Sequence, residues 1–221
     1  MIEERIVISD ANVIFDLLSV QLLEALFALP CEICTTDLVI SEIERPEQQQ
    51  IIQKFIRSKK LGVTSFDFDE FSEILLLQSK SKNNTSIADC SVWYYAKKVD
   101  GRLLTGDGKL RSAAEKDNVK VSGILYLFDN FVEYGLLSAS EAAENLEALM
   151  TINMRLPKAE CESRIAIWRK ERSALTQKWY VQILHILDTI IYILLHDNAY
   201  SHTRCYRLLH VVLPEPDCRA H

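Results

Sequence analysis

Glycine and proline are scarce. The 221-residue chain has 6 of one and 5 of the other, too few for the many tight turns of an all-β sandwich, so the balance tips towards helices. Cysteine is equally thin: 6 in a chain of this length are too dilute for a disulfide framework, which points to a reduced, intracellular protein. Long apolar runs are missing as well. The strongest late one, Ile186 to Leu195, is too short for a bilayer span and is interrupted by Asp188, so no membrane is expected. Nor is there an excess of positive charge. Lys and Arg number 25 against 31 Asp and Glu, a net charge of −6, which argues against a general nucleic-acid coat protein but not against an enzyme that touches nucleic acid briefly. Met1-Ile2-Glu3-Glu4-Arg5 carries acids where a secretory signal would be basic, and a cytoplasmic address is expected.

What is present is apolar material for a sizeable core, 48% of residues, with 25% charged, the profile of a globular protein. The charge is unevenly spread. Residues 1–150 hold 15 basic and 24 acidic side chains, whereas residues 151–221 hold 10 and 7. The last glycine is Gly135, the last phenylalanine Phe131, and every histidine lies at or beyond His185. These shifts divide the chain into a main domain, residues 1–172, and a C-terminal extension, residues 173–221. The extension is expected either to be helical around Val181 to Leu195, docking on the domain or on a second copy, or to be foreign to the domain's native sequence. Its histidines (His185, His196, His202, His210) show no tight zinc spacing.

Within the main domain, β and α signals alternate. Arg5 to Ser9 reads as a buried strand, and Asn12 to Leu29 as one helix stopped by Pro30. Further strands are expected at Cys31–Thr35, Val63–Phe68, Arg102–Thr105 and Val119–Val121. Helices are expected at Leu38–Glu44, Gln48–Lys60, Glu70–Ser79, Ser86–Val99 and Lys109–Lys116, with Lys80–Thr85 a polar loop. Helices then dominate through Glu171. Strands separated by helical crossovers imply a central parallel sheet covered on both faces, a three-layer α/β/α sandwich.

Ligands bind beyond the carboxyl ends of strands in an open parallel sheet. Asp10 and Asp107 are placed there by sequence alone, each following a strand and flanked by small or polar residues. An aspartate at a strand end also caps the next helix, and both readings stand. Asp89 falls in the first turn of a helix amid Ile87, Ala88, Cys90 and Val92, company in which a carboxylate needs a partner or a cation; its alternative role is dipole compensation. Glu42, in the short helix after the second strand, reads by itself as a solvated helix face.

Taken together, Ile6-Val7-Ile8-Ser9-Asp10-Ala11-Asn12, Leu38-Val39-Ile40-Ser41-Glu42-Ile43, Thr85-Ser86-Ile87-Ala88-Asp89 and Leu103-Leu104-Thr105-Gly106-Asp107 resemble the PIN-domain nucleases, which include the toxins of bacterial type II toxin–antitoxin pairs. The resemblance covers residues 4–135. It implies that Asp10, Glu42, Asp89 and Asp107 converge on a pocket for Mg²⁺ or Mn²⁺, hard ions that an all-carboxylate set selects over zinc. It implies hydrolysis of RNA phosphodiester bonds by a metal-dependent endoribonuclease, the toxin of a toxin–antitoxin pair, with a small antitoxin protein as partner and a homodimer by family habit. A silent binding module and a DNA-directed nuclease are the alternatives. Asn12, Ser86 and Thr105 are expected to hydrogen-bond the acids and hold them in place, with a plain helix cap for Ser86 and strand filler for Thr105 as the equal alternative.

Lys109 and Arg111 are candidates for holding substrate phosphate, whereas Lys97 and Lys98 read as ordinary surface. Cys31-Glu32-Ile33-Cys34 lacks the second pair of a zinc ribbon and reads as incidental buried thiols. Asp16, one helical turn beyond Asn12, is placed to approach the site from the first helix, but a solvent-facing position is the favoured reading. Asp67, Asp69 and Glu70, interleaved with Phe66, Phe68 and Phe71, do not have the pattern of a calcium loop.

Overall fold

The structure is a computed structural model that describes residues 5–80 and 85–196. In chain order its elements are β1 (Arg5–Ile8), α1 (Asn12–Ser19), α2 (Leu23–Ala28), β2 (Glu32–Thr36), α3 (Asp37–Ser41), α4 (Pro46–Arg57), β3 (Gly62–Thr64) and α5 (Phe68–Lys80). These are followed by α6 (Ile87–Lys98), β4 (Arg102–Leu104), α7 (Gly108–Lys116), β5 (Lys120–Ser122), α8 (Ile124–Glu133), α9 (Ala139–Ile152) and α10 (Lys158–His196). The strands form one sheet in the order β3-β2-β1-β4-β5, and every pairing is parallel.

Alternation along the strands makes the layers. Ile6 and Ile8 of β1 face one side with Ile33 and Leu104, against apolar residues of α1, α2, α4, α8, α9 and the start of α10. Val7 and Leu103 face the other side, against Val39 of α3 and the inner faces of α6 and α7. Period-two alternation on a sheet buried on both faces requires apolar residues at successive positions, which is why Ile6-Val7-Ile8 is an unbroken run. The three-layer α/β/α class expected from the sequence is the class observed.

Topology locates the crevice. The chain builds outward from β1 through β2 to β3, then returns to the other side of β1 with β4 and β5. The switch point is therefore between β1 and β4, where Ile8 pairs with Leu104. Helix α6 runs antiparallel to the strands. Near its start, Ser91 Oγ is 2.7 Å from Thr36 Oγ1 at the carboxyl end of β2. Past its end, a Cβ on Gly101 would stand 2.9 Å from the carbonyl oxygen of Arg5, at the opening of β1, so only glycine lets that turn pass the strand. The first turn of α6, with Asp89, thus overhangs the carboxyl edge.

One expected helix is two. Asn12–Leu29 breaks where Gln21 takes φ 59°, with Leu22 N donating to Leu17 O and Gln21 N to Leu18 O. This is the paired wrap of a Schellman C-cap. Lys59, Asp100, Asn118 and Gly135 end their helices with positive φ and the same pair of bonds. Four of these five caps use a side-chain-bearing residue in place of glycine, so the scarcity of glycine hid the break.

The chain divides into two compact units, residues 1–172 and 173–221. Cys161, Ile165 and Trp168 of α10 complete the core of the first, and Arg164 forks onto Asp129 of α8 at 2.9–3.0 Å. Neither glycine nor proline occurs between Lys158 and His196, and α10 continues without a stop through Val181–Leu195. Among the described residues no helix is long and apolar enough to cross a membrane. Residues 197–221, with His202 and His210, lie outside the described residues, as does most of the expected loop Lys80–Thr85.

The left-handed caps give a stability test. Lys59 is exposed and holds its positive φ against a Cβ penalty, so Lys59→Gly is expected to stabilise the fold by about 1 kcal/mol, read as a higher urea midpoint. Asn118→Gly should gain less, because asparagine tolerates the left-handed region better than lysine does.

Candidate active site

Asp10 stands two residues past β1 and is exposed. Ser9 N donates to Leu104 O at 3.1 Å, which holds the exits of β1 and β4 side by side. Asn12 then clamps the aspartate: its backbone N donates to Asp10 Oδ1 and its Nδ2 to Asp10 Oδ2, both at 2.8 Å. Asp107, three residues past β4, caps α7. Its Oδ1 accepts from Lys109 N at 2.6 Å and Leu110 N at 3.0 Å, while Thr105 Oγ1 accepts from Asp107 N at 3.0 Å. The capping role is real, yet it engages one carboxylate oxygen. Among the described residues Asp107 Oδ2 makes no hydrogen bond.

Asp89 is half-buried in the first turn of α6 and forms a capping box with Ser86, the Ser86 N donating to Asp89 Oδ2 at 3.2 Å and Asp89 N to Ser86 Oγ at 3.0 Å. Glu42 ends α3, directly after β2. Glu42 is exposed, as its reading as a solvated helix face expects, yet partial desolvation raises its carboxyl above the ordinary value, and the negative charges of Asp89 and Asp10 push in the same direction. Glu42, Asp89 and Asp10 are therefore close enough for their charges to interact, and Asp107 joins the same edge through the β1–β4 pairing. Among the described residues, no group of three or more His, Cys, Asp or Glu side chains is drawn tightly enough to hold a metal ion.

Asp16 corrects the sequence reading. It is half-buried, not solvent-facing, because α1 packs against the end of α9 and Asn153 Nδ2 donates to Asp16 Oδ2 at 2.7 Å. Burial raises its carboxyl, the Asn153 bond opposes this, and the charge of Asp10 adds to the rise while that of Arg155 subtracts. A partner 137 residues away left no local signal.

Several basic residues are engaged with partners inside the fold. Lys97 pairs with Asp117 at 2.6 Å, and Lys98 with Glu70. Arg111 NH2 donates to Thr105 O at 3.3 Å, and the guanidinium pairs with Glu115 at 3.6 Å, so it braces the ends of β4 and α7. Lys109 is exposed in the first turn of α7, beside Asp107.

Other features prove structural. Cys34 is buried in β2 with its thiol pushed up to about 12, mainly by burial, the opposite of a reactive thiolate. Asp67 and Glu70 cap each other at the start of α5.

Fold and edge together define a class: an open parallel α/β sandwich with carboxylates ranged along its switch-point crevice. The family model DUF3368, a PIN domain, matches residues 6–170, and the chain belongs to this PIN-domain family. No curated protein matches it. Solved structures that match include the crystal structure of FitAcB from Neisseria gonorrhoeae, 14% identical, covering 55% of this chain and 99% of that chain with a TM-score of 0.35. So slight a likeness carries no functional argument.

Glu42 supplies a pH test. A carboxyl raised in the folded state contributes stability at pH values below its unfolded pKa and loses it as pH rises through the folded one. At neutral pH the ionised Glu42 therefore opposes folding. In metal-free buffer Glu42→Gln should melt about 1–3 °C above wild type at pH 7, and the gain should vanish near pH 4, around the ordinary glutamate value. An equal melting temperature at pH 7 would mean that the ionised Glu42 does not oppose folding.

Proposed function

We propose that this PIN-domain protein is a metal-dependent endoribonuclease using Mg²⁺ or Mn²⁺. The observation that carries the reading is the shared field of Glu42, Asp89 and Asp10, with Asp107 on the adjoining strand exit. Carboxylates brought within reach of one another repel, and the donor set is all oxygen, which suits a hard divalent cation. Asp10, Asp89, Asp107 and Glu42 are the residues that would hold it. When bound, such an ion supplies positive charge to the phosphate oxygens and lowers the pKa of a water.

The chain's own residues supply the rest. Asn12 fixes both oxygens of Asp10, and Ser86 fixes one of Asp89. Thr105 sets the backbone that aims Asp107. Glu42, with its raised proton affinity, is suited to take the proton of an attacking water at its carboxylate. Lys109 is suited to hold substrate phosphate. We also infer, from the resemblance to PIN-domain toxins, that the protein is the toxin of a cytoplasmic toxin–antitoxin pair, restrained by a small antitoxin protein.

A second reading has its own support. Asp10, Asp89 and Asp107 are all spoken for in part by backbone N–H groups, as acids retained only for folding would be. In that reading the chain is a silent binding module.

Single-stranded RNA incubated with pure protein and Mn²⁺ separates the two. Wild type should cleave it, Asp10→Asn and Asp107→Asn should cleave at least about a hundredfold more slowly, and Asn12→Ala should fall by about 10- to 100-fold. The 2′-deoxy strand should survive. Cleavage equal in all variants, or none in wild type, contradicts the nuclease assignment.

A further inference from the structure

Resting on the nuclease reading, we propose that Arg155 is a substrate-binding residue whose guanidinium holds a phosphate flanking the one that is cleaved. Arg155 lies in the turn between α9 and α10 and is exposed. That turn is tied to the acidic edge. Asn153 Nδ2 donates to Asp16 Oδ2 at 2.7 Å, and Asn153 Oδ1 accepts from Arg155 N at 3.0 Å. One asparagine thus fixes both the Asp16 carboxylate and the backbone of the arginine. Leu156 N donates to Asn153 O at 3.3 Å, which closes the turn.

The Asn153 bonds bring Arg155 to the side of α1 that carries Asp16, and the carboxyl of Asp16 feels both the positive charge of Arg155 and the negative charge of Asp10. Arg155 does not neutralise it by direct contact. The hydrogen bond to Asp16 comes from Asn153, and among the described residues the Arg155 side chain forms no ion pair.

Arg111, on the carboxyl edge in the first turns of α7, is engaged with Thr105 and Glu115. An acidic edge repels a polyanion unless cations receive the strand on its approach. A guanidinium is suited to this because its planar fork matches phosphate oxygens two at a time.

The test is RNA binding in an Asp10→Asn background, read by anisotropy of a labelled single-stranded RNA across a salt series with Mn²⁺ present. Arg155→Ala should weaken binding about tenfold and reduce the slope of log affinity against log salt by about 1. Arg155→Lys should recover the slope. Lys158→Ala, which removes a cation paired with Glu162 at 3.7 Å, should change neither. With the active site intact, Arg155→Ala should raise KM with kcat preserved. Unchanged affinity and slope in Arg155→Ala would overturn the assignment while leaving the nuclease reading standing if wild type still cleaves. A wild type that neither binds nor cleaves RNA would overturn both.

Discussion

The bond from Ser9 N to Leu104 O, 3.1 Å long, joins the exits of β1 and β4 at the switch point of the sheet, and the acidic edge depends on it. Parallel strands leave a sheet in one direction, so residues just past β1 and β4 emerge side by side whatever their separation in sequence. Asp10 and Asp107 stand on the same edge for that reason. Helix α6, running back against the strands with Thr36 and Ser91 in hydrogen-bond contact, brings Asp89 over the same edge, and α3 delivers Glu42 directly from β2.

An edge of this kind works against the fold that carries it. Desolvation first, and like charges at interaction range second, oppose ionisation and raise the carboxyls of Glu42 and Asp16. The chain meets this with donors. Asp107 accepts the first N–H groups of α7, Asp89 shares a capping box with Ser86, and Asn12 engages both oxygens of Asp10. Helix N-termini carry partial positive charge, so helix capping and carboxylate orientation are achieved by the same contacts. The choice between cap and functional acid, open when each aspartate is read singly, is therefore not exclusive.

Much of this was legible in the sequence because it is local. Strand β1 declares itself by Ile6-Val7-Ile8, Asp10 and Asp107 by their place just after strands, and Asn12, Ser86 and Thr105 by standing within three residues of the acids they contact. The helix break at Gln21 was not legible: apolar residues crowd Val20, Leu22 and Leu23 on either side of it, and the left-handed cap is a glutamine. Nor was the burial of Asp16, whose partner Asn153 arrives from the far end of α9. The continuity of α10 follows from the absence of any breaker after Pro157, but the change in composition beyond it masked that simple pattern.

The central claim is that these separated carboxylates act on one divalent cation, and calorimetric titration with Mn²⁺ tests it most directly. Wild type should bind the ion, and Asp10→Asn or Asp107→Asn should each weaken binding by at least about tenfold while leaving the fold intact. Absence of binding to wild type, or equal binding by all three proteins, would contradict the account.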